Sequence, residues 1–111
     1  MIERVWSARA SSLEGAAAYA AYFQRVVAPE LAAMPGYRGA RLSQRRLAGD
    51  IEIVVATEWD SLDVIHGFAG DDIESAVVHD EAAAFFIDYD RTVRHFDVIY
   101  DDPATGTAWP R

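Results

Sequence analysis

The order in which the hydrophobic periodicity changes along the chain constrains its fold more than any other feature. Residues 2–9 alternate with the two-residue period of a strand. Residues 13–31 instead repeat apolar side chains at helical spacing, and Ser11 or Ser12 can cap the first turn. Because proline lacks the backbone N–H, Pro29 should kink or restart this helix.

The rest of the chain completes a recognisable order of elements. Residues 37–47 and 51–59 predict a hairpin around Gly49-Asp50. Three helical segments and one strand are then expected, over residues 62–69, 71–78, 81–87 and 91–100. The order β-α-β-β-α-β is that of the ferredoxin-like plan, an antiparallel sheet with helices on one face. We therefore predict one α+β domain over residues 1–102, followed by a C-terminal tail of residues 103–111.

The third predicted strand suggests that both faces of the sheet are covered. Along residues 51–59 one face carries Ile51, Ile53, Val55, Thr57 and Trp59, while the other carries Val54 and Ala56 between two glutamates. A sheet with one face in water would alternate more cleanly. We therefore expect a homodimer in which two sheets pack face to face. The space between each sheet and its helices would form a pocket for a small aromatic ligand.

Composition excludes several kinds of partner and chemistry. The chain has 18 acidic and 10 basic residues and a formal charge of -8, so a nucleic-acid partner is not expected. It has no cysteine, which removes disulfides, thiolate nucleophiles and Cys-based zinc sites, and we expect no metal site. No apolar segment approaches the length of a membrane span or signal peptide. A soluble, cytoplasmic protein without membrane contact is the resulting expectation.

No catalytic motif marks the chain, so the candidates are single residues. Trp59 could line the mouth of a pocket, although a core aromatic is the commoner role. His66 at the edge of a helical stripe and His95 in the last strand could act as general bases, or could be satisfied structural histidines. His79, between two predicted helices, could cap a carbonyl or ligate haem iron. Four strand arginines could stabilise an anion: Arg41, Arg45, Arg91 and Arg94.

Several short segments carry a family resemblance. They are Met34-Pro35-Gly36-Tyr37-Arg38-Gly39, Glu58-Trp59-Asp60-Ser61, Phe68, and Arg94-His95-Phe96-Asp97-Val98. With them the chain resembles the antibiotic biosynthesis monooxygenase superfamily of dimeric α+β barrels, over about residues 2–100. The resemblance implies a monooxygenase that needs no metal or flavin. Such an enzyme deprotonates a phenolic molecule, and the anion then reacts directly with oxygen.

The resemblance also implies roles for individual positions. Trp59 matches the tryptophan that lines the family's site, whereas the family's asparagine is replaced by Val55 and its tyrosine by Ile65. A substrate-polarising amide and a phenol would therefore be absent. If the chemistry is retained, the resemblance leaves His66 or His95 to act as the base.

Two alternatives stay open beside the monooxygenase. The haem-degrading branch of the superfamily uses a strand asparagine, a helical tryptophan and a histidine ligand. Here Ser7 or Ala8 and Phe68 replace the first two, and His79 lies close to the third, so haem would be the cofactor only in that alternative. The second alternative is a non-catalytic protein that binds a small molecule in the same pocket.

Overall fold

The computed structural model describes residues 1–102, which form a five-stranded antiparallel sheet with four α-helices. The predicted tail, residues 103–111, lies outside the described residues. The strands are β1 (Ile2–Ala10), β2 (Tyr37–Arg46), β3 (Ile51–Trp59), β4 (Asp88–Tyr89) and β5 (Arg94–Asp97). The helices are α1 (Leu13–Tyr22), α2 (Ala28–Ala32), α3 (Leu62–Ala69) and α4 (Asp80–Ala83).

The first helix is capped and interrupted as its sequence predicts. The hydroxyl of Ser12 accepts a hydrogen bond from the backbone N–H of Gly15 at 3.0 Å, which satisfies one of the free amides of the first turn. A π-helical turn, Phe23–Val27, then separates α1 from α2. Pro29 lies in the first turn of α2, where its missing N–H costs least.

The sheet has the ferredoxin-like order predicted from the sequence. Its strands follow the order β2-β3-β1-β4, and β5 also pairs with β1. β1 is therefore central, and it pairs antiparallel with β3 along its whole length, from Ile2 opposite Trp59 to Ala10 opposite Ile51. The predicted hairpin joins β2 to β3. The α+β fold class is confirmed, and the dimer stays a prediction.

The helix predicted over residues 71–78 is wrong. The segment instead makes a turn, in which Ser75 donates to the carbonyl of Asp72 at 3.1 Å, and then runs without regular structure to His79. Ser75 also forms an isolated β-bridge with Thr92. The carbonyls of Ile73 and Ser75 both accept hydrogen bonds from the guanidinium of Arg4, 69 and 71 residues away. In a helix the N–H of Ala76 would donate to the carbonyl four residues earlier, whereas here it donates to the carbonyl of Arg91 at 2.9 Å. The tertiary contact therefore decides the conformation of this segment.

The last helix and the last strand are also shorter than predicted. Helical structure in 81–87 is limited to α4, and the strand predicted over residues 91–100 is reduced to β5, with β4 paired separately with β1. The chain between β4 and β5 leaves β1, because Ala76 donates to the carbonyl of Arg91 at 2.9 Å and Val93 donates to Glu74 at 2.8 Å. The segment of residues 71–78 thus divides the predicted final strand into β4 and β5.

No helix among residues 1–102 is both long and apolar enough to cross a membrane.

The turn before β2 depends on a glycine, which gives a stability test. Gly36 and Gly49 both have positive φ, +81° and +85°. A Cβ added to Gly36 would lie 2.8 Å from the side chain of Val64, whereas a Cβ added to Gly49 would have no other atom within 4 Å. Gly49→Ala should cost about 1–2 kcal/mol of unfolding free energy from backbone strain. Gly36→Ala should cost roughly 1–3 kcal/mol more, because of overpacking.

Urea unfolding of the two variants measures this difference. Adding Val64→Ala should recover part of the loss in Gly36→Ala and none in Gly49→Ala. Equal losses in the two glycine variants would contradict the proposed contact.

Candidate functional site

A cavity of about 70 Å³ lies between the sheet and the first helices. Its strand side chains are Arg4 and Trp6 of β1 and Val55 and Thr57 of β3, which alternation places on one face. Its remaining walls are mainly apolar and aromatic, formed by Tyr19, Phe23, Val27, Leu31, Phe68, Val78, Ala82 and Val93. Glu30, Val77 and His79 lie where the cavity opens to the surface, since all three are exposed.

The aromatic wall is fixed by contacts that leave little freedom. The ring of Trp6 lies 6.3 Å from that of Tyr19 and 5.4 Å from that of Phe86. Its indole Nε1 donates to the carbonyl of Asp90 at 2.7 Å. A ligand ring entering the cavity would therefore meet a preformed aromatic surface.

Arg4 is the basic side chain of the cavity, and only 4% of it is exposed. One terminal nitrogen, Nη1, donates to the carbonyl of Ile73 and lies 2.9 Å from Nε2 of His95, while Nη2 donates to the carbonyl of Ser75 at 2.9 Å. The guanidinium carbon also lies 5.7 Å from the centre of the Phe68 ring. Within residues 1–102 no carboxylate forms an ion pair with Arg4.

Of the two basic groups at this contact, Arg4 and His95, only Arg4 is charged at neutral pH. Burial lowers the pKa of Arg4 to about 10, so the guanidinium stays charged at neutral pH. Burial and the charge of Arg4 lower the pKa of His95, and Glu74 opposes them more weakly. His95 is therefore neutral. Because a guanidinium has no acceptor, Nε2 of His95 must accept the hydrogen bond.

Of the residues predicted for the site, Trp59 lies in the core and does not line the cavity. Its side chain is fully buried, with its ring 5.4 Å from Tyr37 and 5.5 Å from Phe68. The indole Nε1 donates to Oγ1 of Thr57 at 2.8 Å. Trp59 thus supports two cavity residues, Thr57 and Phe68, from behind.

The structure brings one of the three histidines to the cavity. His66 is exposed, and its Nδ1 donates to the carbonyl of Gly70 at 2.9 Å, at the end of α3. His95 contacts Arg4 without lining the cavity. His79 does line it, and its Nε2 lies 2.9 Å from Oε2 of Glu30. The catalytic roles of His66, His95 and Trp59 stay predictions.

The arginine that lines the cavity, Arg4, is one that sequence reasoning did not single out. The four strand arginines, Arg41, Arg45, Arg91 and Arg94, are all exposed. The sequence held one sign of the role of Arg4, because this residue lies on the same face of β1 as the apolar Ile2, Trp6 and Ala8. A charged residue in that register marks a buried polar site.

The cavity does not fit haem. Pockets for drug-sized ligands usually hold about 300–1,000 Å³, and this cavity has about 70 Å³. His79 itself could ligate an iron ion through Nδ1, because only its Nε2 contacts Glu30, so the size of the cavity is what argues against haem. Among residues 1–102 no group of three histidine, cysteine or acidic side chains could hold a metal ion.

The comparison with known families identifies one match. The sequence model of the family described as antibiotic biosynthesis monooxygenase matches residues 12–73, more than half of the 111 residues. No curated protein matches the chain. The matched range contains Glu30, Thr57 and Phe68 of the cavity, while Arg4, His79 and His95 lie outside it.

The neutral state of His95 predicts a pH dependence of stability. An unfolded histidine has a pKa of about 6.5, and the folded pKa of His95 is lower. The unfolded chain therefore binds more protons at this position, and the unfolding free energy falls as the pH drops below about 6.5. His95→Gln should lose less stability than the wild type between about pH 7.5 and about pH 5.5.

The urea midpoint at the two pH values measures this effect, with His66→Gln as the control that changes an exposed histidine. An identical pH dependence in His95→Gln and the wild type would contradict the assignment.

Proposed function

The chain belongs to the antibiotic biosynthesis monooxygenase family, and from this we propose that it oxygenates a small phenolic molecule without metal or flavin. The observation that carries the proposal is the cavity between sheet and helices, which combines aromatic walls with a carboxylate-held histidine at its mouth. The walls supply a surface for a flat ring, and the histidine supplies a proton acceptor.

The reaction balances without an added reductant. A phenol with a hydrogen on the ring carbon para to its hydroxyl loses the O–H and C–H protons and gives four electrons to O₂. One oxygen atom becomes the new quinone carbonyl, and the other leaves as water with the two hydrogens. Removing the phenolic proton first makes the ring electron-rich enough to reduce oxygen directly.

His79 is the proton acceptor in this proposal. Its Nε2 donates to the carboxylate of Glu30, which leaves the lone pair on Nδ1. Nδ1 makes no hydrogen bond in the part of the chain that the structure describes. The Glu30 carboxylate fixes the tautomer and stabilises the imidazolium that forms, as the acid does in a hydrolase triad. Because His79 is exposed, the proton can pass to solvent.

The volume of the cavity favours a single ring over a polycycle. A dry cavity of roughly 150 Å³ binds benzene in another protein, so the present cavity of about 70 Å³ would enclose only part of one ring. A one-ring phenol would fill it and project into the open mouth. Resorcinols are therefore the first substrates to test, with 1,3-dihydroxynaphthalene as the larger comparison.

Oxygen uptake tests the proposal. Protein freed of metal and flavin should consume one O₂ per hydroxyquinone formed from a resorcinol. His79→Ala should lower kcat/KM by about 10²–10⁴-fold, the usual contribution of a general base. Glu30→Gln should lower it less, because the amide still accepts from Nε2 but carries no charge. Glu14→Gln, on the exposed first turn of α1, is the matched control.

The same measurement separates the three histidines, because only the acting base should reduce the rate when it is replaced. A loss confined to His66→Ala or His95→Ala would move the base to the position that the family resemblance favours. Binding of phenols without any oxygen uptake would instead support a non-catalytic binding protein.

A further inference from the structure

We infer that the cavity selects a single-ring ligand with one negative charge, and that Arg4 binds this charge. The inference rests on the proposal that the cavity is the ligand site, but it does not require that the ligand be oxygenated. Within the proposed function it specifies the substrate class as phenols or other acids that are ionised when bound.

Arg4 has no counter-charge within the part of the chain that the structure describes. Arg4 is 4% exposed, and all three of its hydrogen-bond partners are neutral: the carbonyls of Ile73 and Ser75 and the imidazole of His95. Buried charges in proteins are normally paired, because desolvation alone costs several kcal/mol. Residues 1–102 supply no carboxylate partner. An anionic ligand in the cavity would supply it.

Two of the N–H groups of Arg4 have no partner in the described chain. A guanidinium has five N–H groups, and the three contacts within the described chain use both on Nη1 and one on Nη2. Nε–H of Arg4 has no partner among residues 1–102. Every unpartnered side-chain nitrogen or oxygen in this range keeps some accessible surface, so Nε is not sealed inside the protein. Nε–H and one Nη2–H therefore stay available to an anion, in the fork geometry that binds two oxygens.

Tyr19 adds a neutral donor to the same cavity. Its side chain is buried, and its hydroxyl makes no hydrogen bond within the described residues. Burial raises the pKa of Tyr19, so the phenol keeps its proton and donates. Arg4 and Tyr19 together offer a charged and an uncharged donor to one ligand.

The surroundings limit the ligand to one charge. Glu30 at the mouth would repel a second negative group, and the chain as a whole carries a formal charge of -8. Attraction of an anion must therefore come from Arg4 at short range, since screening removes longer interactions beyond about 8–10 Å. The small volume and the aromatic walls then select a single ring.

His95 acts as a positioning residue for Arg4. Its neutral Nε2 fixes the guanidinium without neutralising it, whereas a carboxylate at this place would remove the charge that the ligand needs. His95→Gln, which keeps an acceptor, should therefore preserve anion binding within a few-fold. His95→Leu, which removes the acceptor, should weaken it more.

Titration calorimetry with two isosteric probes tests the inference. Benzenesulfonate carries one charge at every pH used, and benzenesulfonamide is neutral. The wild type should bind benzenesulfonate at least about 10-fold more tightly, and Arg4→Met should reduce that affinity about 10–100-fold, the range for a hydrogen bond to a charged group. Arg4→Lys should retain part of it. Arg46→Met, an exposed arginine at the end of β2, is the matched control and should bind like the wild type.

A second measurement covers the case in which Arg4→Met does not fold. Bound to the wild type, 4-nitrophenol should ionise at a lower pH than in water, which its visible absorbance reports directly. Equal affinity for the two sulfonyl probes, no binding of either probe, or an unshifted nitrophenol titration would each overturn the inference. Anion binding without oxygen uptake would overturn only the proposed oxygenation, whereas oxygen uptake unaffected in Arg4→Met would overturn only the role of Arg4.

Discussion

The buried guanidinium of Arg4 links three parts of the fold at the cavity. From the central strand β1 it reaches the carbonyls of Ile73 and Ser75 and the imidazole of His95, which lies opposite Arg4 on β5. The segment of residues 71–78 also pairs through its backbone with the chain between β4 and β5, where Ala76 donates to Arg91 and Val93 donates to Glu74. Beyond this pairing the chain carries Val77, Val78 and His79 along the cavity. Arg4 and the backbone pairing together therefore hold one wall of the site in place.

A charge in this place is costly to bury, and three hydrogen bonds to neutral acceptors offset much of that cost. Each hydrogen bond to a charged group contributes about 1.5–3 kcal/mol net, while the effective cost of burying an ion is several kcal/mol. An apolar side chain at position 4 would continue the stripe of Ile2, Trp6 and Ala8 without that cost. Stability alone therefore does not explain the arginine. Its free donors and its place on the cavity wall connect the cost to ligand binding.

Local patterns predicted the elements whose conformation is decided locally. The period-two strands, the Ser12 cap and the hairpin before β3 all follow from neighbours in the sequence. The helix predicted over residues 71–78 is wrong because its acidic start and apolar residues favour a helix, whereas its backbone pairs with Arg91 and Val93, which lie further along the chain. The prediction of the site residues was incomplete for the same reason, because the site joins residues that are far apart in the sequence. His79 was visible as a candidate, but its partner Glu30 is 49 residues distant, and only the fold brings them together.

The family match covers residues 12–73, whereas two of the residues that determine the chemistry of the cavity, Arg4 and His79, lie outside it. Residues 12–73 supply most of the helices and the hairpin, which is the scaffold that makes a cavity possible. The charged group inside that cavity and the histidine at its mouth come from β1 and from the chain after Ile73. Within the matched range the positions where the family resemblance expects polar catalytic groups are Val55 and Ile65. Because a fold can host several chemistries, the reaction has to be inferred from Arg4, Glu30 and His79. Because Arg4 is a single buried positive charge in a small cavity, these residues fit the proposed ligand, a single ring with one negative charge.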